Sequence, residues 1–241
     1  MGNSGFRFVR LDLLTEDVVV KLQEVRAIFV YRDLPYLGSF HSSNPRLDSI
    51  WMTGAYTAHL NMQNYLWDGI KRDRLVWMGD AHPELRTILS VFGDNEVLRK
   101  TFDQARDQTP LPGWMNGICA YSLWWILIHR DYYNYTGDRA YLTEQQQYLE
   151  GLLSQVIESV DEEGREHLQG GGRFLDWPTS KNKPAVNAGL QALVVMSLEA
   201  GEQLMQVLNN DSLASRCQVT VERMRQAIPD YKQSKHCLLY T

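Results

Sequence analysis

A run of fourteen residues, 67–80, carries the side chains of this chain that are best suited to catalysis. It holds three carboxylates, three cations and two tryptophans between two stretches with helical patterns. Acids packed among cations and aromatic rings suit sugar chemistry, because one carboxyl can donate a proton, others can bind hydroxyls, and an indole offers the sugar a flat apolar surface. The chemically relevant members are Trp67, Asp68, Lys71, Arg72, Asp73, Arg74, Trp77 and Asp80.

Helical patterns on both sides of this segment must position it. Asn44 followed by Pro45 is a typical helix start, since Asn caps the first turn and Pro fits the first helical position. Apolar residues then recur with a period close to that of a helix. Similar patterns predict about seven helices, over residues 44–65, 80–92, 94–106, 118–135, 139–160, 183–208 and 212–228.

These helices are joined alternately by short turns and long polar loops. Such a layout is typical of helical hairpins stacked in a ring, with the long loops at one end. Residues 118–135 are apolar on nearly every face, so we expect a buried helix with Trp124, Trp125 and Tyr132 in the core. The fold class is therefore mostly α, and no strict repeat at a fixed period is detected.

The first 38 residues have a different pattern. Between Phe6 and Tyr31, apolar and polar residues nearly alternate, which is the period of half-buried strands. Pro35 and Gly38 then punctuate the chain. We predict two parts, a β segment over residues 1–38 and a helical domain over residues 39–241.

Composition narrows the function classes. The chain has 241 residues, a net charge of −5 and a pI near 5.7, which argues against a nucleic-acid partner. No apolar run is long enough to predict a membrane span, and the N-terminus does not resemble a signal peptide. Cys119, Cys217 and Cys237 are expected to be buried thiols, and no spacing of His and Cys implies a metal or other cofactor.

The block Asp68-x-x-x-Arg72-Asp73-Arg74-Leu75-x-Trp77-x-Gly79-Asp80 resembles the signature of bacterial α-L-rhamnosidases of the six-hairpin glycosidase class, glycoside hydrolase family 78. Three further segments resemble family features in the expected order. They are Gly5-Phe6-Arg7-Phe8-Val9, similar to the last strand of a preceding β-sandwich, the turn Tyr135-Thr136-Gly137-Asp138, and the loop Phe174-Leu175-Asp176-Trp177.

The resemblance implies an (α/α)6 barrel, here incomplete, and inverting hydrolysis of terminal α-L-rhamnosides without a metal or other cofactor. By position, Asp73 would be the general acid. The residues expected to bind the sugar or tune that acid are Asp68, Arg72, Trp77, Asp80, Asp176 and Trp177.

The chain also departs from the family pattern. Asp73 replaces the usual Glu, Val76 a Gly, and Asn116 an Asp that follows Trp-Gly in relatives. The family's catalytic base is a Glu near the end of the barrel, and we expect it to lie beyond this chain. Inversion needs two carboxyls roughly 6.5–9.5 Å apart, so this piece alone is expected to be weak or inactive. Glu84 is a weak candidate for a substitute base.

Each site residue has a structural alternative. Asp73 could form a surface ion-pair cluster with Arg72 and Arg74, which would stabilise little. Asp80 could be a helix N-cap. The remaining alternatives are a cap or turn for Asp68, packing between hairpins for Trp77, and a Pro-terminated turn for Asp176 and Trp177.

Three hypotheses remain open from the sequence. The first is a rhamnosidase-like glycoside hydrolase acting on an L-rhamnose-containing oligosaccharide or glycoside. The second is a carbohydrate-binding pseudo-enzyme or truncated remnant, and the third is a different six-hairpin glycosidase. An incomplete barrel also predicts self-association through its uncovered flanks. The compartment is not assigned, although the parent enzyme could be periplasmic or secreted.

Overall fold

The computed structural model describes residues 5–15 and 17–227, and this part of the chain is mostly helical. Seven α-helices are formed within it. They are α1 (Pro45–Asn61), α2 (Ala81–Phe92), α3 (Glu96–Asp107), α4 (Cys119–Thr136), α5 (Arg139–Glu158), α6 (Lys183–Val207) and α7 (Asp211–Ala227). The predicted helices are therefore confirmed, with boundaries shifted by a few residues.

Local sequence signals explain several helix ends. The Asn44 side chain accepts the N–H of Arg46 at 3.0 Å, and Pro45 occupies the first turn of α1. Gly137 ends α4 in the left-handed conformation with φ of 65°, a conformation that glycine adopts without steric cost. The next residue, Asp138, then caps α5 by accepting the N–H of Tyr141 at 3.0 Å, as expected.

Helices α2, α4 and α6 pack side by side, and α1, α3, α5 and α7 pack against them. α4 is buried on nearly all faces, as predicted from its continuous apolar sequence. Trp125 and Tyr132 are at most 1% exposed, and Trp124 is partly buried against the core. One contiguous apolar core therefore lies between the helices and fixes their relative positions.

The connections between helices differ at the two ends of the helix layer. Three long loops, residues 62–80, 108–118 and 159–182, contact one another and form what we call the loop end. Three short turns, residues 93–95, 137–138 and 208–210, form the turn end. Each long loop leads into one of the side-by-side helices α2, α4 and α6. The loop end therefore brings together side chains from three helical hairpins.

The predicted β segment is not confirmed. In the described residues between 5 and 43, the backbone forms no strand, and apolar side chains such as Phe8, Leu14 and Val19 are more than 80% exposed. A strand needs a neighbouring strand to pair its backbone groups, and none is present in the described part of the chain. The alternating pattern indicates that these residues suit a sheet, but it does not show that a sheet forms.

The structure corrects the N-cap of α3 and places two of the three cysteines. Asn95, rather than Asp94, caps α3 by accepting the N–H of Val97 at 3.1 Å. Cys119 and Cys217 are buried free thiols as expected, whereas Cys237 lies outside the described residues. Among the described helices, none is long and apolar enough to cross a membrane.

Candidate active site

The first half of the acidic segment is a closed turn. The backbone N–H of Asp68 donates to the carbonyl of Leu75 at 2.9 Å, so the two ends of the turn pair as in an antiparallel bridge. Between them Gly69–Asp73 forms a single π-helical turn, which Arg74 ends in the left-handed conformation with φ of 47°. π-turns of this kind are rare and occur frequently at functional sites.

Side chains from outside the turn hold it in place. Asn61, the last residue of α1, accepts the N–H of Ile70 at 3.1 Å through its side-chain oxygen. Thr101 on α3 accepts the N–H of Leu66 at 2.8 Å. The turn is thus fixed to two helices, and its acidic side chains are carried on a defined backbone.

Asp73 lies at the end of this turn with two donors on one carboxylate oxygen. Arg72 donates to Asp73 Oδ2 at 2.7 Å, and the indole Nε1–H of Trp77 donates to the same oxygen at 3.3 Å. Arg72 also lies 3.6 Å from the carboxylate of Asp68. Arg74 instead places its guanidinium 5.7 Å from the ring centre of Trp67. The ion-pair cluster considered from the sequence therefore includes Arg72 but not Arg74.

Asp80 stands at the N-cap position of α2, yet its side chain makes no capping hydrogen bond. The structural alternative for this residue is therefore not borne out. Loss of water around the carboxyl raises the pKa of Asp80, and the negative charges of Asp68 and Asp176 raise it further, while Arg72 lowers it. Asp80 therefore lies near one acid of the first long loop, Asp68, and one of the third, Asp176.

Glu84 and Tyr121 extend this group of ionisable side chains into the helices. Burial, followed by repulsion from Asp68 and Asp80, raises the pKa of Glu84 to about 8. Burial and the charges of Asp80, Asp68 and Asp176 raise the pKa of Tyr121 to about 12. A carboxyl with a pKa near 8 is protonated at pH 7, so Glu84 does not fit the substitute base suggested from the sequence, which must be ionised.

Gly79 allows Tyr121 to lie against the acidic segment. A Cβ at position 79 would lie 2.3 Å from Cε1 of the Tyr121 ring, which leaves no room for a side chain. The Tyr121 ring in turn contacts Trp77 edge-on, with 6.1 Å between ring centres. Trp77 therefore packs against α4 and also faces Asp73, so its packing role and its predicted sugar-binding role are compatible.

Asp176 and Trp177 come from the third long loop. Asp176 accepts the N–H of Trp177 at 2.7 Å and begins a short 3-10 turn, so the turn considered as the structural alternative is present. Its charge nevertheless reaches Asp80 and Tyr121. The Trp177 ring is 80% exposed and packs edge-on against Phe174, with 5.1 Å between ring centres. This indole is open to a ligand at the loop end.

Comparison with known proteins identifies the family of this domain. Residues 35–234 match the sequence model of the bacterial alpha-L-rhamnosidase 6 hairpin glycosidase domain. The chain belongs to this family.

A solved structure supports the fold assignment. A rhamnosidase of glycoside hydrolase family 78 from Bacillus sp. GL1 superposes with a TM-score of 0.72 over 85% of this chain, at 21% sequence identity. The chain spans 22% of that protein's length. At this identity the likeness establishes the six-hairpin glycosidase fold alone. No curated protein sequence matches this chain.

Within this rhamnosidase-family domain, the second long loop contributes residues that the sequence analysis did not identify as part of the site. Trp114 is buried, donates its indole N–H to the carbonyl of Gln169 at 2.6 Å, and packs against Gly171, so it anchors the third loop. Asn116, noted as a departure, contacts the acidic segment, and Tyr121 lies under it. These contacts are non-local, and no spacing in the sequence indicates them.

A cavity of about 400 Å³ lies beside the acidic segment. Its walls include Val76 from the first long loop, Trp114 and Asn116 from the second, and Gln104 and Gln108. Amide groups next to an indole suit a hydroxylated ligand. The domain therefore has space for a polar group between Val76 of the acidic segment and the second long loop.

Proposed function

We propose that this domain binds a terminal L-rhamnose unit of a glycoside at the loop end and that Asp73 delivers a proton to the glycosidic oxygen. The single observation that carries this proposal is the placement of Asp73. Its carboxylate is fixed by Arg72 at 2.7 Å and by Trp77 at 3.3 Å, at the end of the layer where the three long loops meet. Membership of the bacterial α-L-rhamnosidase family favours rhamnose as the sugar.

The surrounding groups have roles that fit this reaction. Asp68, Asp80 and Asp176 supply carboxylate oxygens that can accept hydroxyl hydrogens of the sugar, and Arg72 supplies donors. Trp77 offers an aromatic edge and Trp177 an exposed aromatic face for the apolar side of the ring. Asp73 can act as an acid only after it takes up a proton, and protonation would weaken its hold on Arg72.

Inversion of configuration requires a second carboxyl, ionised and roughly 6.5–9.5 Å from the acid, to activate water. Glu84 is the neighbouring carboxyl most biased toward its protonated form, so it is poorly suited to this task. The chain spans 22% of the length of the solved relative, and we propose that the base lies in a part of the enzyme outside this chain.

Hydrolysis of an aryl α-L-rhamnoside tests the proposal. Asp73→Asn keeps the size of the side chain and removes the proton donor, so it should lower any turnover by about 10²–10⁴-fold. Asp73→Glu restores the usual family residue and should retain or raise turnover. Glu144→Gln, on the exposed side of α5, is the control and should leave turnover unchanged. Measurable wild-type turnover that Asp73→Asn leaves unchanged would refute the role of Asp73.

A second candidate function is sugar binding without hydrolysis. It is favoured by the contacts of Asp73. The carboxylate already accepts two hydrogen bonds, and it can accept another from a sugar hydroxyl. Binding of L-rhamnose by a wild-type chain that shows no turnover would favour this candidate. A different six-hairpin glycosidase activity would be indicated by turnover of another aryl glycoside in preference to the rhamnoside.

A further inference from the structure

Asn116 contacts the acidic segment through both ends of its side-chain amide. Its Oδ1 accepts the backbone N–H of Met78 at 3.1 Å, and its Nδ2 donates to the backbone carbonyl of Val76 at 2.9 Å. The two hydrogen bonds enclose the one residue between their anchor points, Trp77. An amide can make this pair of contacts because it carries a donor and an acceptor, whereas a carboxylate has acceptors only.

The backbone around Asn116 is shaped to present this amide. Asn116 has φ of 53° and Gly117 has φ of 71°, two consecutive residues in the left-handed region. Asn tolerates this region better than most residues, and Gly adopts it freely. The same turn continues into the third loop, since the N–H of Gly172 donates to the carbonyl of Gly117 at 2.7 Å. Asn116 is thus held between two of the long loops.

Trp77 connects the contact of Asn116 to the proposed general acid, Asp73. Trp77, held on either side through Val76 and Met78, donates its indole N–H to Asp73 at 3.3 Å. Its other neighbour is the Tyr121 ring, which limits how far the indole can rotate. A change in the backbone of residues 76–78 would therefore alter the hydrogen bond on the Asp73 carboxylate.

We propose that Asn116 is a positioning residue, whose amide fixes segment 76–78 and thereby sets where Trp77 holds Asp73. The amide here is not a neutral substitute for the family's carboxylate, because it ties the loop where an Asp would repel the carbonyl of Val76. The proposal rests on the proposed function, in which Asp73 acts on the sugar.

The test uses the indole N–H signals of the isotopically labelled chain, which has seven tryptophans. Trp77→Phe identifies the Trp77 signal, and Asp73→Asn shows its position once the carboxylate is removed. Asn116→Gly keeps the left-handed turn and deletes both hydrogen bonds. Asn116→Asp keeps the acceptor and deletes the donor. Asn209→Gly is the matched control, since Asn209 is exposed, has φ of 61° and lies in a turn between α6 and α7.

We expect Asn116→Gly to move the Trp77 signal more than half of the way to its position in Asp73→Asn. The Met78 amide should also exchange with solvent about five- to tenfold faster. Asn116→Asp should move the Trp77 signal as well, yet leave Met78 protected, because the carboxylate still accepts that N–H. Asn209→Gly should change neither quantity.

The proposal is overturned if both Asn116 variants leave the Trp77 signal at its wild-type position, or if Asn209→Gly moves it equally. It is also overturned if Asp73→Asn does not move the signal, since Trp77 would then not report on Asp73. Should Asn116→Gly fail to fold, the Asn116→Asp spectrum decides alone. Absence of rhamnoside hydrolysis in the wild type would count against the proposed function only, because these signals do not depend on turnover.

Discussion

The two ends of the helix layer treat their carboxylates in opposite ways. At the turn end, Arg99 pairs with Asp94 at 2.7 Å and with Asp138 at 3.0 Å, and it donates to the hydroxyl of Tyr132 at 2.7 Å. At the loop end, the exposed Arg72 side chain lies 2.7 Å from Asp73 and 3.6 Å from Asp68, whereas Asp80 and Glu84 are near other acids.

The two arrangements have different consequences for stability. Acids that share a partly buried arginine and a tyrosine contribute to folding, as Asp94 and Asp138 do. Burial and neighbouring carboxylates raise the pKa values of Asp80 and Glu84, which opposes folding, and groups with shifted pKa values cluster at functional sites. The raised pKa values of Asp80 and Glu84 therefore fit a candidate site that forms at some loss of stability.

The largest expected effect is at the turn end. Arg99→Leu removes the cation between Asp94 and Asp138 and leaves both acids near each other without it. We expect the free energy of unfolding to fall by about 2–3 kcal/mol. Arg86→Leu is the control, because Arg86 is 70% exposed and lies 3.6 Å from Asp131, and it should change stability by less than about 0.5 kcal/mol. Urea unfolding measures the stability of both variants. Equal losses of stability would show that Arg99 and its acids do not contribute to folding as stated.

A smaller effect of opposite sign is expected at the loop end. The pKa of Glu84 rises from an ordinary value of 4.5 to about 8 in the folded chain. Between these values the folded state binds a proton that the unfolded state does not, so this group's contribution to stability falls as the pH rises. Glu84→Gln should therefore stabilise the domain by about 1–2 kcal/mol at pH 7.

The pH dependence makes this prediction specific. At pH 4, where Glu84 is protonated in both states, Glu84→Gln and wild type should unfold at nearly the same urea concentration. Glu144→Gln should show no difference that depends on pH across this range. Destabilisation by Glu84→Gln at pH 7 would mean that Glu84 is ionised and paired. This result would contradict the raised pKa of Glu84.

The smallest effect comes from two aspartates at equivalent helix starts. Asp138 caps α5, whereas Asp80, at the start of α2, makes no capping hydrogen bond. Asp138→Ala should lower the free energy of unfolding by about 1 kcal/mol or more, and Asp80→Ala should change it by less than about 0.5 kcal/mol. Thermal unfolding of the two variants measures this difference. An equal loss of stability in both variants would indicate that Asp80 has a structural role.

Much of the helical fold was predictable because its signals are local. The Asn44–Pro45 pair, Gly137 and the continuous apolar face of residues 119–136 each act within a few residues, and the structure places helices accordingly. The β segment predicted over residues 1–38 was not confirmed, and the reason is physical. Alternation describes which side chains suit a sheet, but strand formation depends on a pairing partner that the pattern does not contain.

Residue spacing predicted the site only where its members are adjacent in the chain, and Asp176 and Trp177 were included through the family resemblance. The relation of Asp73 to Arg72 and Trp77 follows from a compact turn over residues 68–75. Asn116 and Tyr121 reach the same place through the packing of α4 and the second long loop, and a single sequence gives no sign of this. Asp80 at a helix start suggested a cap, and only the side-chain geometry shows that it is not one.

A rhamnose site at the loop end can be tested by titrating the wild-type chain with L-rhamnose and following the indole N–H signal of Trp77. We expect a saturable displacement of this signal, with binding weakened about tenfold or more by Asp68→Asn, which removes one charged acceptor at the loop end. Glu144→Gln should bind as wild type does, and D-glucose should bind more weakly than L-rhamnose. A Trp77 signal that does not move, or that moves equally with Asp68→Asn and with D-glucose, would contradict a rhamnose site at the loop end.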